Sequence, residues 1–290
     1  MIGKLRTHLR RKERGFALLL VLWSLILLGL IAASFVRETR VGTTLARNVM
    51  ENAKAEALAE AGIRRAMLSL IDSDPATAWR ADGRVYRFAL GEGSIKVQVQ
   101  DEGGKIDLNR TSEDMLLALF QTAGANLEAA RKLADAVLDY ADQDSDRRPA
   151  GAEDPDYSAA GLGYGAKDAA FDRKEELMNV LGMNRAIYDA IAPDVTVYSG
   201  QSEVNLSTAP ESVLRMIPKL TSRQLDEIMA ARSGPLPPQS VPVNVVTIRA
   251  DATTRGGGRF VREAITRRSD QPDNPFEILD WRQNWQAAAP

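Results

Sequence analysis

The chain has 290 residues, room for one large domain or two ordinary ones, and its 37 Lys and Arg against 39 Asp and Glu leave a net charge of −2. It has no cysteine, and its only histidine is His8. Disulfides, thiolate zinc sites and Cys nucleophiles are therefore excluded, and so, beyond residue 8, are a Ser-His-Asp triad and a His-ligated metal. A metal site here would have to be built from oxygens, which is the chemistry of calcium or magnesium.

The charge is unevenly spread. Residues 1–15 carry six bases (Lys4, Arg6, Arg10, Arg11, Lys12 and Arg14) against one acid, Glu13, so the body is acidic. An acidic body argues against nucleic acid as its partner. Residues 16–36 (FALLLVLWSLILLGLIAASFV) hold no charge and end at Arg37-Glu38. At about 1.5 Å per residue they span roughly 30 Å as a helix, the thickness of a bilayer's hydrocarbon core. The bases ahead of them predict a cytoplasmic N-terminus and an exported body. A cleaved secretory signal, cut near Ala32-Ala33-Ser34, is the alternative, but its apolar core usually runs only about 7–15 residues.

The helix is expected to continue past the membrane. From Arg37 to about Ile71 there is no Pro, Val41, Leu45 and Val49 recur four apart, and Glu60 and Arg64 form an i, i+4 pair. The whole predicts one helix of about 55 residues, ended by Asp72-Ser73-Asp74-Pro75. Tyr86, Phe88 and Leu90 then alternate, Gly91-Glu92-Gly93 turns, and Ile95, Val97 and Val99 alternate again, the pattern of a strand pair. Later strand candidates are 195–198, 243–249, 260–267 and 276–281. Between them, 101–235 reads as helical.

That middle region contains a weak repeat. Asp107-Leu108-Asn109-Arg110-Thr111-Ser112 opens one helix with Leu116 and Leu119 on a face, and Val204-Asn205-Leu206-Ser207-Thr208 opens another with Leu214 and Ile217. The second unit, with 221–232 after it, resembles a helix-hairpin-helix element. Its hairpin, Ile217-Pro218-Lys219-Leu220-Thr221-Ser222, lacks the Gly that would offer N–H groups to phosphate, so these helices read as packing units. Trp79, Trp281 and Trp285 read as core or interface aromatics. Gly256-Gly257-Gly258 reads as a flexible loop between strands, and Gly161 to Gly165 as part of a mobile one.

One constellation points to metal chemistry. Asp142, Asp144, Asp146 and Glu153 occupy positions 1, 3, 5 and 12 of an EF-hand calcium loop, after a plausible helix over 127–141. Position six should be Gly and is Arg147, and Asp154-Pro155-Asp156 does not read as an exiting helix. The spacing thus predicts an irregular calcium loop. Otherwise it is a solvated acidic loop whose carboxylates repel one another.

Arg14-Gly15-Phe16-Ala17-Leu18-Leu19-Leu20, on a short basic leader ahead of an anchoring helix, resembles the processing site of type IV pilin-like proteins. The resemblance implies that a prepilin peptidase cuts between Gly15 and Phe16 and N-methylates Phe16. Most of that family carries Glu at the fifth mature position, where this chain has Leu20. That departure, with Lys105-Ile106-Asp107-Leu108-Asn109, the run from Leu138 to Asp144, Gly151-Ala152-Glu153 and Glu203-Val204-Asn205-Leu206-Ser207-Thr208-Ala209-Pro210, resembles the minor pseudopilin K family of type II secretion systems.

The resemblance implies an α+β fold: a pilin-like long N-terminal helix, transmembrane in one half and amphipathic in the other, on a small antiparallel sheet, with a large helical insertion. The implied division is 1–15 leader, 16–36 membrane span, 37–100 helix and first strands, 101–235 helical insertion of SAM- or helix-hairpin-helix-like units, and 236–290 completing the sheet. It implies a structural, non-enzymatic role in the inner membrane. With minor pseudopilins I and J, the chain would form the tip complex that initiates and caps the periplasmic pseudopilus for export of folded proteins. It also adds weight to a structural calcium. The competing class is a membrane-anchored periplasmic hydrolase using carboxylates, which would need two of them facing a deep pocket rather than four on one loop.

Overall fold

The apolar run and the amphipathic stretch form a single helix, α1 (Arg10–Leu70), in the computed structural model, which describes residues 10–72, 74, 77–218, 220–234, 243–271 and 273–283. Residues 1–9 of the leader, Ser73, Pro75, Lys219 and Trp285 lie outside the described residues. Of the described helices, one segment, Phe16–Phe35, is long and apolar enough to cross a membrane. Its two hydroxyls are satisfied within the helix: Ser24 donates to the Leu20 carbonyl and Ser34 to that of Ile31, both at 2.8 Å.

Among the described residues, α1 meets the rest of the protein from Glu51 onward, about its last five to six turns. Ala55, Ala59, Ile63 and Ala66, at helical spacing, are fully buried against the sheet. Small side chains there let the helix lie close to the strands. Leu45 and Val49, two of the three apolar residues spaced four apart, are instead 63 % and 61 % exposed. Below the helix, Asp72 accepts from the Asp74 N–H (3.0 Å) and the Thr77 hydroxyl (2.7 Å), turning the chain back.

Five antiparallel strands make the sheet, in the order β1 (Asp82–Leu90), β2 (Gly93–Asp101), β5 (Val245–Thr254), β6 (Arg259–Arg268) and β7 (Phe276–Gln283). The alternation fixes the register. Ile95, Val97 and Val99 of β2 and Val246, Ile248, Ala250 and Ala252 of β5 turn toward α1 and close one hydrophobic core. The far face carries Gln98, Gln100, Thr247, Arg249 and Glu263. Trp79 stacks on Tyr86 at 4.0 Å, an anchor for the chain between α1 and β1. Gly256–Gly258 make the β5–β6 turn, and Thr254 beside it donates to Glu51 of α1 (2.6 Å), so this loop is tied to the helix.

Between β2 and β5 the chain builds a second core of its own. It contains α2 (Glu113–Thr122), α3 (Leu127–Ala141), α4 (Asp154–Ala159), α5 (Arg185–Ile191), α6 (Glu211–Met216) and α7 (Ser222–Ser233). Leu116, Leu119, Phe120, Val137, Tyr157, Leu177, Ile191, Val213 and Leu214 are buried there. Ser112 caps α2 through the Met115 N–H, as its position predicts. The 195–198 strand is only β4 (Val195–Thr196), and it pairs in parallel with β3 (Ile106–Asp107) inside this helical region, apart from the main sheet.

Two expectations are corrected. The chain after Glu153 does form a helix, α4, because Pro155 falls in its first turn, where a missing N–H costs nothing. Asn205, Ser207 and Thr208 do not cap α6, which begins after Pro210; Asn205 and Thr208 bond to Asp101 of β2 instead, and Ser207 donates to Asn205.

Candidate functional site

The acidic loop grows from the C-terminal end of α3. Helical spacing sets Asp135, Asp139 and Asp142 along one side, and the loop after it folds back over them. Asp135 accepts from the Ala150 N–H (3.0 Å). Asp139, fully buried, accepts from the backbone N–H of Arg148 and from its guanidinium Nη1 (2.7 Å), and the same Nη1 donates to Asp142 Oδ2 (2.6 Å). Bonding to these two carboxylates, Asp142 first, holds the Arg148 proton more tightly than usual.

Glu153 is the other buried member. Its N–H donates to Asp156 Oδ2 (3.0 Å), which seats the start of α4. Its own carboxyl is pushed up to about 7, by burial first and then by the charges of Asp139, Asp142, Asp168 and Asp144. Glu153 Oε1 and Asp142 Oδ1 are enclosed without a hydrogen-bond partner. Asp168 reaches this cluster from the 161–168 loop, whose Lys167 and Asp168 N–H groups donate to the Tyr140 carbonyl (3.1 and 3.2 Å).

Of the four residues that the spacing singled out, the structure thus brings Asp142 and Glu153 inward, with Asp144 close enough to act on Glu153. Asp146 is exposed, and its N–H donates to Asp144 Oδ1 (2.9 Å). Asp139 and Asp168 complete the cluster and were not singled out. Asp139 had a visible signal, three residues before Asp142 on the same helix side. Asp168 had none, since it arrives from a distant loop. Among the described residues, no group of three or more carboxylates is gathered tightly enough to hold an ion as it stands.

A second set of polar residues joins the two cores. Asp101 accepts from the Gly103 N–H (2.9 Å), the Thr208 hydroxyl (2.6 Å) and the Asn205 amide (3.1 Å). The Asn205 N–H donates to the Gly103 carbonyl (2.7 Å). Gly104 lies flat against the Thr208–Ala209 backbone, where a Cβ would stand 2.8 Å from the Ala209 Cα. Glu102, 2 % exposed, accepts from Lys105 (2.5 Å), Thr247 (2.6 Å) and Thr196. Burial alone would raise its pKa, but Lys105 and these hydroxyls outweigh that and hold it low. Asp107 accepts from Ser199 (2.8 Å) and the Gly200 N–H (2.7 Å), and Asn109 exchanges two hydrogen bonds with the Phe171 backbone (2.7 and 3.0 Å). The 105–109 and 203–210 stretches are therefore wiring between sheet and helices.

Comparison with known proteins accords with this architecture. Residues 97–200 match the family model for type II secretion system protein K. Type II secretion system protein K of Klebsiella pneumoniae is 26 % identical over 222 residues, 69 % of this chain and 68 % of that one. Its counterpart in Pseudomonas aeruginosa is 25 % identical over 247 residues, 77 % and 74 % of the two chains. Over this region and in these relatives, the chain is similar to the type II secretion system protein K family. In fold, it is similar to a chain from the crystal structure of the GspK-GspI-GspJ complex of enterotoxigenic Escherichia coli. That match has a TM-score of 0.56 and 18 % identity, over 86 % of this chain and all of the other. The residues matched to the protein K model run from β2 through the wiring, the acidic loop and α5, so the acidic loop and most of the wiring fall within it.

Proposed function

We propose that the chain is a minor pseudopilin that joins I- and J-type minor pseudopilins in the tip complex of a type II secretion pseudopilus. The observation that carries this reading is the division of α1. Its first half is a membrane span, its last turns hold the sheet, and the stretch between leaves Leu45 and Val49 exposed with no partner among the described residues of this chain. An apolar helix face left open in water is accounted for by neighbouring helices. The solved structure that this fold resembles is a complex of GspK with GspI and GspJ, which supports partners of the same kinds here. The role is structural; no catalytic carboxylate pair is invoked. The reading includes cleavage between Gly15 and Phe16, N-methylation of Phe16, and a periplasmic body on an inner-membrane anchor.

The same reading assigns calcium to the acidic loop. The orphaned oxygens of Asp142 and Glu153, with Asp139 and Asp144 beside them, are a hard-oxygen donor set suited to that ion. Arg148 now neutralises part of that charge, so an ion would share or take over its contacts. Bound calcium would supply the positive charge that lets Glu153 ionise.

The test is co-expression of the full-length chain with the I- and J-type pseudopilins of the same system, followed by purification in detergent and native mass measurement. A 1:1:1 complex is expected. Self-association into homopolymers, or labelled chain along the whole length of isolated pseudopili, would overturn the tip assignment.

A further inference from the structure

The far face of the sheet and the helical region do not close on each other. A cleft of about 870 Å³ lies between them, walled by β2, β5, β6 and β7 on one side and by the segments around Lys174 and Asp194 on the other. Its lining is polar, and its carboxylates are almost all paired. Glu102 holds Lys105, Glu175 receives Arg282 (2.9 Å), and Asp82 and Asp189 pair with Arg84 and Arg185; Asp194 accepts only from the neutral Ser212 hydroxyl (2.6 Å).

Lys174 is the exception among the cations. Its ammonium is half-buried in the wall, and its single hydrogen-bond partner among the described residues is a neutral group, the Ala192 carbonyl at the end of α5 (2.7 Å). An ammonium has three donors, and taking one out of water without a counter-charge is costly. Burial, and then the neighbouring charge of Lys105, pull its pKa down, outweighing the carboxylates of Glu102, Glu263 and Glu175. Arg249 lines the sheet side of the same space, and its carboxylate, Glu263, stands at 3.9 Å, the outer limit of an ion pair. Two cations thus face one cleft from its two walls, Lys174 hydrogen-bonded only to a carbonyl among the described residues and Arg249 in a long ion pair.

We propose that this cleft binds a small oxyanion of the phosphate or dicarboxylate class, held by Lys174 from the helical side and Arg249 from the sheet side. Such a ligand would bridge the two cores and stiffen the joint between them. This binding site does not depend on the pseudopilin reading.

The test uses the full-length chain in detergent, titrated calorimetrically with inorganic phosphate and, separately, with succinate, against sodium chloride at matched ionic strength. Binding of at least one oxyanion, with one site per chain, is expected, and the stronger of the two identifies the class. Loss of one charge-assisted contact weakens binding about tenfold or more, so Lys174→Met and Arg249→Gln should each show that loss, and Lys174→Arg should retain most of the affinity. Equal affinity in Lys174→Met and the parent chain would overturn the site, as would no heat with either oxyanion. If Lys174→Met fails to fold, Arg249→Gln alone decides, since that side chain lies at the sheet surface.

Discussion

Arg148 Nη1 lies 2.7 Å from Asp139 Oδ1, at the buried end of the acidic loop, so a fixed cation already stands among carboxylates that calcium would seek. The guanidinium covers Asp139 and one oxygen of Asp142, and leaves Glu153 uncompensated. Calcium and Arg148 should therefore act as partial substitutes.

Replacing Arg148 by Met in chelator leaves buried Asp139 without its cation, a loss of about 3 kcal/mol for a broken buried pair. Saturating calcium should restore much of that stability. Calcium at about a hundred times its dissociation constant stabilises by roughly 2.7 kcal/mol, and Asp142→Asn with Glu153→Gln should abolish that gain. Thermal unfolding of the full-length chain with calcium and with chelator measures both. Calcium that stabilises the double variant as much as the parent would remove the loop from consideration.

Glu153 gives the loop a pH dependence. Its carboxyl moves from an ordinary value of 4.5 to about 7 in the folded protein. Between those values the folded state holds a proton that the unfolded chain releases. Stability in chelator should thus fall as pH rises from about 4.5 to 7, and level off above that. Glu153→Gln should flatten that fall, and calcium should flatten it in the parent chain, because the ion favours the charged carboxylate. Melting temperatures at pH 5.5 and 7.5 are the measurement; a parent chain more stable at 7.5 in chelator contradicts it.

The wiring between the cores predicts a sharp contrast between two glycines. A Cβ at Gly104 would press on the backbone of Thr208 and Ala209, which cannot swing away as a side chain can. Gly104→Ala should cost about 1–3 kcal/mol. At Gly163 a Cβ meets nothing within 4 Å, and Gly163→Ala should stay within about 0.5 kcal/mol. Urea unfolding of both variants separates them, and equal costs would mean that the close approach at Gly104 is not real.

Periodicity made much of this fold readable. The uncharged span, the alternation in β1, β2, β5 and β6, and the Ser112 cap are all local signals, and local signals survive in a sequence. What stayed hidden depends on pairing across long separations. Nothing near Asn205 announces Asp101, 104 residues away, and so its turn-like neighbours looked like a helix cap. Likewise the spacing of Asp142, Asp144 and Asp146 suggested three ligands on one loop, while the fold turned Asp146 outward and drew in Asp168 from beyond α4. An irregular loop takes its shape from what it bonds to elsewhere in the fold, here Asp135 and Asp139 of α3.

The last prediction concerns the start of the chain. Cleavage between Gly15 and Phe16 would remove every base ahead of the span and leave an amine on the first apolar residue. The intact mass of the membrane-bound chain should then correspond to a protein beginning at Phe16, plus one methyl group. Gly15→Leu should keep the 15-residue leader attached. It should still insert in the membrane, because the apolar span is untouched and its flanking bases still orient it. Assembly with the I- and J-type partners should fail, since a charged leader would hold the head of α1 on the cytoplasmic side. A native N-terminus near Ala33 would instead mean that the apolar run is a cleaved signal, and with it would go both the anchor and the pilin-like spine.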